Sequence, residues 1–303
     1  MQVYLPIAEM SVDALLLLGI GGGVGFLSGL FGVGGGFLLT PILILIGIPS
    51  PVAVASGANQ TLGASVSGLI AQWRRGNVDI RMGLVLLAGG LTGSTLGTQL
   101  FVLLRRMGQA DLVVSLFYIV VLGSVGALMV RESVRAILRR RAGIVPKRLH
   151  QHSWAHGLPL KIRFRKSRLY MSAIPPFAVG AGIGLLSAIM GVGGGFMLVP
   201  AMIYLLGIPT SVTIGTSLFQ VTFVTASVTL LQALQTGSVD IVLTLLLLLG
   251  GVPGAQFGAA WGNRLRGEEM RALLGSLVLT VALSLLWELL RTPDSLYAIG
   301  PVR

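Results

Sequence analysis

The chain has 303 residues, 54% hydrophobic and only 11% charged, against roughly 25% charged residues in soluble domains. That leaves too few polar residues to cover a large soluble core, and the net charge of +12 is concentrated in one stretch instead of being spread over a surface. Cysteine is absent, which excludes disulfides, thiolate metal sites and cysteine nucleophiles.

The first ten residues, MQVYLPIAEM, lack a positive n-region. The first apolar segment is therefore expected to stay as a membrane helix and not to be removed as a signal peptide. No charge occurs from Ala14 to Trp73, nor from Leu169 to Val239. A crossing needs about 20 apolar residues, so each window holds more than one. Length and uncharged character predict ten helical segments, at about 12–31, 36–47, 52–73, 80–104, 110–131, 171–190, 195–207, 212–235, 241–263 and 269–290. Glycine, proline and arginine clusters punctuate them.

The first break is Gly-Val-Gly-Gly-Gly-Phe at Gly32–Phe37, and it recurs at Gly191–Phe196. Val24–Pro41 reads VGFLSGLFGVGGGFLLTP, and Ile183–Pro200 reads IGLLSAIMGVGGGFMLVP. Downstream, Gly47-Ile48-Pro49 matches Gly207-Ile208-Pro209, Gln60 matches Gln220, Asp79 matches Asp240, and Gly89, Gly93 and Gly97 match Gly250, Gly254 and Gly258. The offset drifts only from 159 to 161. The chain thus divides into a membrane repeat over 12–131, a basic linker over 132–170 and a second membrane repeat over 171–291.

Five segments per half is an odd number, so the repeats are expected to be inverted relative to each other. The fold class is an all-α polytopic membrane protein of two inverted repeats. The segments after each GVGGG are too short to cross the ~30 Å apolar layer at 1.5 Å per residue, and read as half-helices or re-entrant arms. Residues 131–168 hold twelve of the 22 Lys and Arg, with His150, His152 and His156. A basic loop between membrane halves is a cytoplasmic topology signal and a surface for anionic lipid; nucleic acid is not an expected partner.

Paired glycine breaks in two halves point to a transporter's binding site. Gly32, Gly34, Gly35 and Gly36, and Gly191, Gly193, Gly194 and Gly195, permit left-handed backbone and close approach. The helices that start near Phe37 and Phe196 would offer free N–H groups and a positive dipole end to an anion. After each GIP turn comes a polar run: Ser56, Asn59, Gln60, Thr61, Ser65 and Ser67, and Thr213, Thr216, Ser217, Gln220, Thr222 and Thr225. Ser56, Asn59 and Gln60, like Thr216, Ser217 and Gln220, recur at helical spacing on one side of their helices. Gln99 and Gln256 are lesser candidates. The scattered glycines are expected to serve helix packing.

Acids fall at segment ends, so a buried carboxylate relay is not expected. No His pair or carboxylate cluster points to a metal, no cofactor is implied, and no Ser-His-Asp set lies within the apolar segments. An enzyme is disfavoured.

At the duplicated GVGGGF(L/M)-x-x-P motif and the GIP turns, the chain resembles the sulfite exporter TauE/SafE family of bacterial membrane proteins. The resemblance covers both halves and implies a secondary transporter of small sulfur-containing oxyanions such as sulfite, sulfonates or sulfoacetate, in the inner membrane. It implies a site at Gly32–Phe37 with Asn59 and Gln60, and at Gly191–Phe196 with Thr216, Ser217 and Gln220. Apart from the resemblance, H⁺ or Na⁺ as coupling ion and the membrane potential alone stand as open alternatives for driving transport. The alternatives are a permease for another small ion, or a non-transporting scaffold acting through the basic loop.

Overall fold

The computed structural model describes residues 2–31, 36–141, 160–164, 166–167, 169–262 and 267–290. Strands β1 (Gln2–Leu5) and β2 (Met10–Asp13) precede the helices α1 (Ala14–Phe31), α2 (Gly36–Leu45), α3 (Ser50–Arg74), α4 (Ile80–Arg106) and α5 (Ala110–Arg141). Strands β3 (Lys161–Phe164) and β4 (Leu169–Ser172) then precede α6 (Ile174–Met190), α7 (Gly195–Tyr204), α8 (Thr210–Gln235), α9 (Ile241–Gly262) and α10 (Gly267–Leu290). Each of the ten expected helices is present, nine of them within about three residues of their expected ends, while α5 runs on from the expected 131 to Arg141. Among the described residues, five are long and apolar enough to cross a membrane: α4, α5, α8, α9 and α10. Helices α2 and α7 have ten residues each, about 15 Å of rise, half a bilayer core.

The sequence did not announce the two antiparallel hairpins β1–β2 and β3–β4. They occupy equivalent places, one ahead of α1 and one ahead of α6. The second falls in the stretch read as linker, and α5 also runs into that stretch as far as Arg141. The histidines of that stretch lie outside the described residues.

Packing joins one half to the other throughout. Helix α1 lies on α9, α4 on α6, α5 on α10 and α3 on α8. Glycine is why the first two pairs sit so close. On α1, Gly21, Gly25 and Gly29 abut the backbone of Leu247, Gly251 and Ala255, so the contacts advance together and the helices run parallel. On α4, Gly89, Gly93 and Gly97 abut Phe177, Ala181 and Leu185 in the same sense. Helices α5 and α10 run antiparallel instead: Gly123 faces Ala282, Gly126 faces Leu279, and Met129 faces Gly275. Small residues let backbones meet where hydrophobic driving force is weak.

Each hairpin grips the opposite half through a buried aspartate. Asp79 caps α4, accepting from the Met82 N–H at 3.3 Å, while its other oxygen accepts from Ser167 N at 2.9 Å and Ser167 Oγ at 2.8 Å in the β3–β4 turn. Asp240 caps α9 through Val242 N and Leu243 N, and accepts from Ile7 N of the β1–β2 turn at 3.0 Å. An N-cap carboxylate satisfies helix N–H groups that have no partner inside the helix. Here it also fastens the two halves together.

Candidate functional site at the glycine breaks

Helix α6 ends at Met190 because Gly191 turns left-handed, φ 69°, with its N–H still donating to Ser187 O at 2.8 Å. Gly193 and Gly194 are left-handed as well, φ 72° and 74°, and α7 starts at Gly195. Three such residues within four positions demand glycine. Space demands it too: a methyl group on Gly191 would strike the Val54 backbone, one on Gly193 the Thr61 and Thr225 methyls, and one on Gly194 the Ile183 side chain. Of the first copy, Gly32, Gly34 and Gly35 lie outside the described residues, and Gly36 opens α2.

Both breaks converge on α3. The Gly36 N–H donates to Thr61 Oγ1 at 3.0 Å; that hydroxyl in turn lies 2.9 Å from Gly57 O and 3.4 Å from Val192 O of the second motif. A methyl group on Gly36 would stand 2.7 Å from Gly191 O, so the two motifs are in direct contact. The rings of Phe37 and Phe196 stack with centroids 5.4 Å apart and planes 25° from parallel. The Tyr118 hydroxyl of α5 donates to Met190 O and holds the end of α6. The starts of α2 and α7, each with N–H groups lacking intrahelical partners and the positive end of a helix dipole, therefore meet beside the middle of α3.

The polar side chains expected here sort into two kinds. Ser56, Asn59, Gln60, Thr216, Ser217 and Gln220 are all buried. Thr216 is engaged, its Oγ1 accepting from Asp79 N at 3.0 Å, and Ser217 donates to Ile214 O of its own helix at 3.0 Å. Ser56 Oγ, Asn59 Nδ2, Gln60 Oε1 and both carboxamide atoms of Gln220 have no protein partner. Each such group costs about 1–3 kcal/mol to bury unmet. None of these residues carries a formal charge. Gln99 and Gln256 are exposed on the outer faces of α4 and α9, away from the breaks.

Thr61 and Tyr118 were not singled out by sequence. Thr61 stood in a polar run, and its signal was a departure from the repeat, for its counterpart is Val221. Tyr118 lies on an apolar helix whose sequence points to nothing.

The family model described as "Sulfite exporter TauE/SafE" matches residues 17–285. A "Probable membrane transporter protein" of Xylella fastidiosa (strain 9a5c) is 29% identical, over 92% of this chain and 97% of its own length. The "Probable membrane transporter protein YjnA" of Bacillus subtilis (strain 168) is 27% identical, over 91% of this chain and 100% of its own. A "Probable membrane transporter protein MJ0441" of Methanocaldococcus jannaschii is 24% identical, over 89% and 94%. No solved structure matches.

Proposed function

The chain belongs to the sulfite exporter TauE/SafE family, membrane transporters and not enzymes, and from that premise we propose that it is a secondary transporter of small sulfur-containing oxyanions such as sulfite, sulfonates or sulfoacetate. The observation that carries the proposal is that the two glycine breaks meet on α3, which with its equivalent α8 also bears buried amide donors that no protein group satisfies, Asn59 Nδ2 and Gln220 Nε2. Donors without fixed cations bind an oxyanion and let it go again; a buried lysine or arginine would hold it too firmly. Helix starts at α2 and α7 supply the remaining positive potential, as in other transporters built from broken helices.

In this reading the two halves are inverted repeats, supported by the antiparallel crossing of the equivalent helices α5 and α10. Alternating access is a rocking of one half against the other about the α2–α7 contact. The protein spans the inner membrane with the basic stretch 131–168 in the cytoplasm, against anionic lipid headgroups. Coupling is to H⁺ or Na⁺, or flux follows the membrane potential alone.

The test is charge movement and isotope flux in proteoliposomes offered sulfite, sulfoacetate, taurine, thiosulfate, sulfate and chloride. Saturable flux of one sulfur oxyanion, depressed at least about tenfold in Asn59→Leu, is the expected result, the size of one lost hydrogen bond. Absence of saturable flux for every sulfur anion would sink the cargo assignment.

A further inference from the structure

The duplication places one buried glutamine in each of two helix trios that share no helix. Gln60 of α3 sits between α1 and α9. Its Nε2 lies 3.4 Å from Gly21 O and would be 2.5 Å from a methyl group on Gly251. With Gly25, Ser28, Ala64, Leu248 and Gly251 it lines a crevice closed to water in this conformation, so a larger occupant requires α3 to part from α1 and α9. Gln220 of α8 sits against α4, its Nε2 2.5 Å from where a methyl group on Gly90 would be, and Gly184 of α6 packs on the Gly90 backbone. Gly90 and Gly251 are equivalent in the repeat, and so are Ser187 and Ser28.

These residues are among the most deeply buried polar groups of the protein: Gln60 is 3% exposed, Gln220 0%, Ser28 4% and Ser187 1%. Both Gln220 carboxamide atoms, Gln60 Oε1 and Ser187 Oγ lack a protein partner, and Gln60 Nε2, whose single bond goes to Gly21 O, keeps its second N–H to offer an anion. Leucine has nearly the volume of glutamine and would avoid the cost of burial at either position. The cost is carried twice, at equivalent positions of the repeat, in trios built from the two halves.

We propose that the trios α1–α3–α9 and α4–α6–α8 are two separate stations for the transported oxyanion, each built on one glutamine carboxamide beside a serine position and each reached from one membrane face. The inference rests on the anion-transport reading above and adds two symmetry-related stations, one on either side of the glycine breaks. Between the stations lie the packed α3 and α8 and the meeting of the two glycine breaks, so the anion crosses the centre by passing from one trio to the other. The stations differ in size: Val224 stands against Gly90 in the second where Ala64 lines the first.

The experiment uses the full chain in proteoliposomes with uniform orientation and measures the half-saturation concentration for ³⁵S-sulfite from each face. Gln60→Leu and Gln220→Leu are each expected to change the ratio of the two values by about tenfold, in opposite directions. A ratio that stays put, or that moves the same way in both variants, overturns the two-station proposal and leaves a single shared site. Thermal unfolding in detergent gives a readout independent of orientation. Without sulfite each variant should melt no lower than the parent chain, and each should keep part of the sulfite-induced stabilisation that the double variant loses. Complete loss of that stabilisation in either single variant also overturns it. If the parent chain itself neither moves nor is stabilised by sulfite, the cargo reading has failed first, a result distinct from both.

Discussion

The two halves share a backbone plan but not a chemistry. After the GIP turn, α3 presents Ser56, Gly57, Asn59, Gln60 and Thr61, and α8 presents Thr216, Ser217, Phe219, Gln220 and Val221 at the equivalent places. Only glutamine is kept. Thr61 binds both glycine breaks, through Gly36 N and Val192 O, whereas Val221 has no hydroxyl to do so. Thr216 and Ser217 are spent on Asp79 N and on their own helix. Duplication therefore supplied the shape of the breaks, and divergence left on α3 the hydroxyl that ties them together. The second break needs glycine because the angles at Gly191, Gly193 and Gly194 require it; the side chains beside a break are free to specialise once one helix serves both.

Substitution at the turn itself should do the most damage. Gly191→Ala imposes a left-handed alanine and drives its methyl into the Val54 backbone. It should destabilise the protein by about 3 kcal/mol or more, read as thermal unfolding in detergent. A smaller effect is expected along the parallel seams. Gly25→Ala and Gly93→Ala push into the backbones of Gly251 and Ala181, while a methyl group on Gly23 or Gly182 meets nothing within 4 Å. The first two should each cost about 2 kcal/mol, and Gly23→Ala and Gly182→Ala nothing. Equal melting of all four would refute the close-packed seams.

Exchanging the divergent pair comes next. Thr61→Val should lose about 1–2 kcal/mol by leaving Gly36 N–H unmet, with faster amide exchange at the start of α2. Val221→Thr has no such group to satisfy and should leave that region unchanged. The mildest change is Ser167→Ala, which removes one of two Ser167 bonds to Asp79 and should cost about 1 kcal/mol. Its effect should appear as faster exchange in the β3–β4 hairpin, with the β1–β2 hairpin on Asp240 undisturbed.

Much of this was legible before any coordinates. Uncharged length marked the helices, and the GVGGG copies marked where two of them stop. The glycine series Gly89, Gly93, Gly97 and Gly250, Gly254, Gly258 marked packing seams, and each of those residues abuts a neighbouring backbone. Gln60 and Gln220 stood out as a matched polar pair on apolar helices. The hairpins did not stand out, because strands of four residues carry too few alternations to register as a period. Asp79 and Asp240 were visible as a repeated pair at segment ends, yet their role as fasteners depends on partners 88 and 233 residues away.

Sequence by itself determined the membrane class, the duplication, the ten helices and the two glycine breaks. Those are local properties: how apolar a stretch is, how long it runs, and which residues a backbone turn tolerates. Tertiary structure decided which polar side chains are already satisfied, that Thr61 ties both breaks together, and that each glutamine lies in its own helix trio. A hydrogen-bond partner is a matter of distance in space, and a chain folded across a duplication axis brings together groups that its sequence keeps far apart.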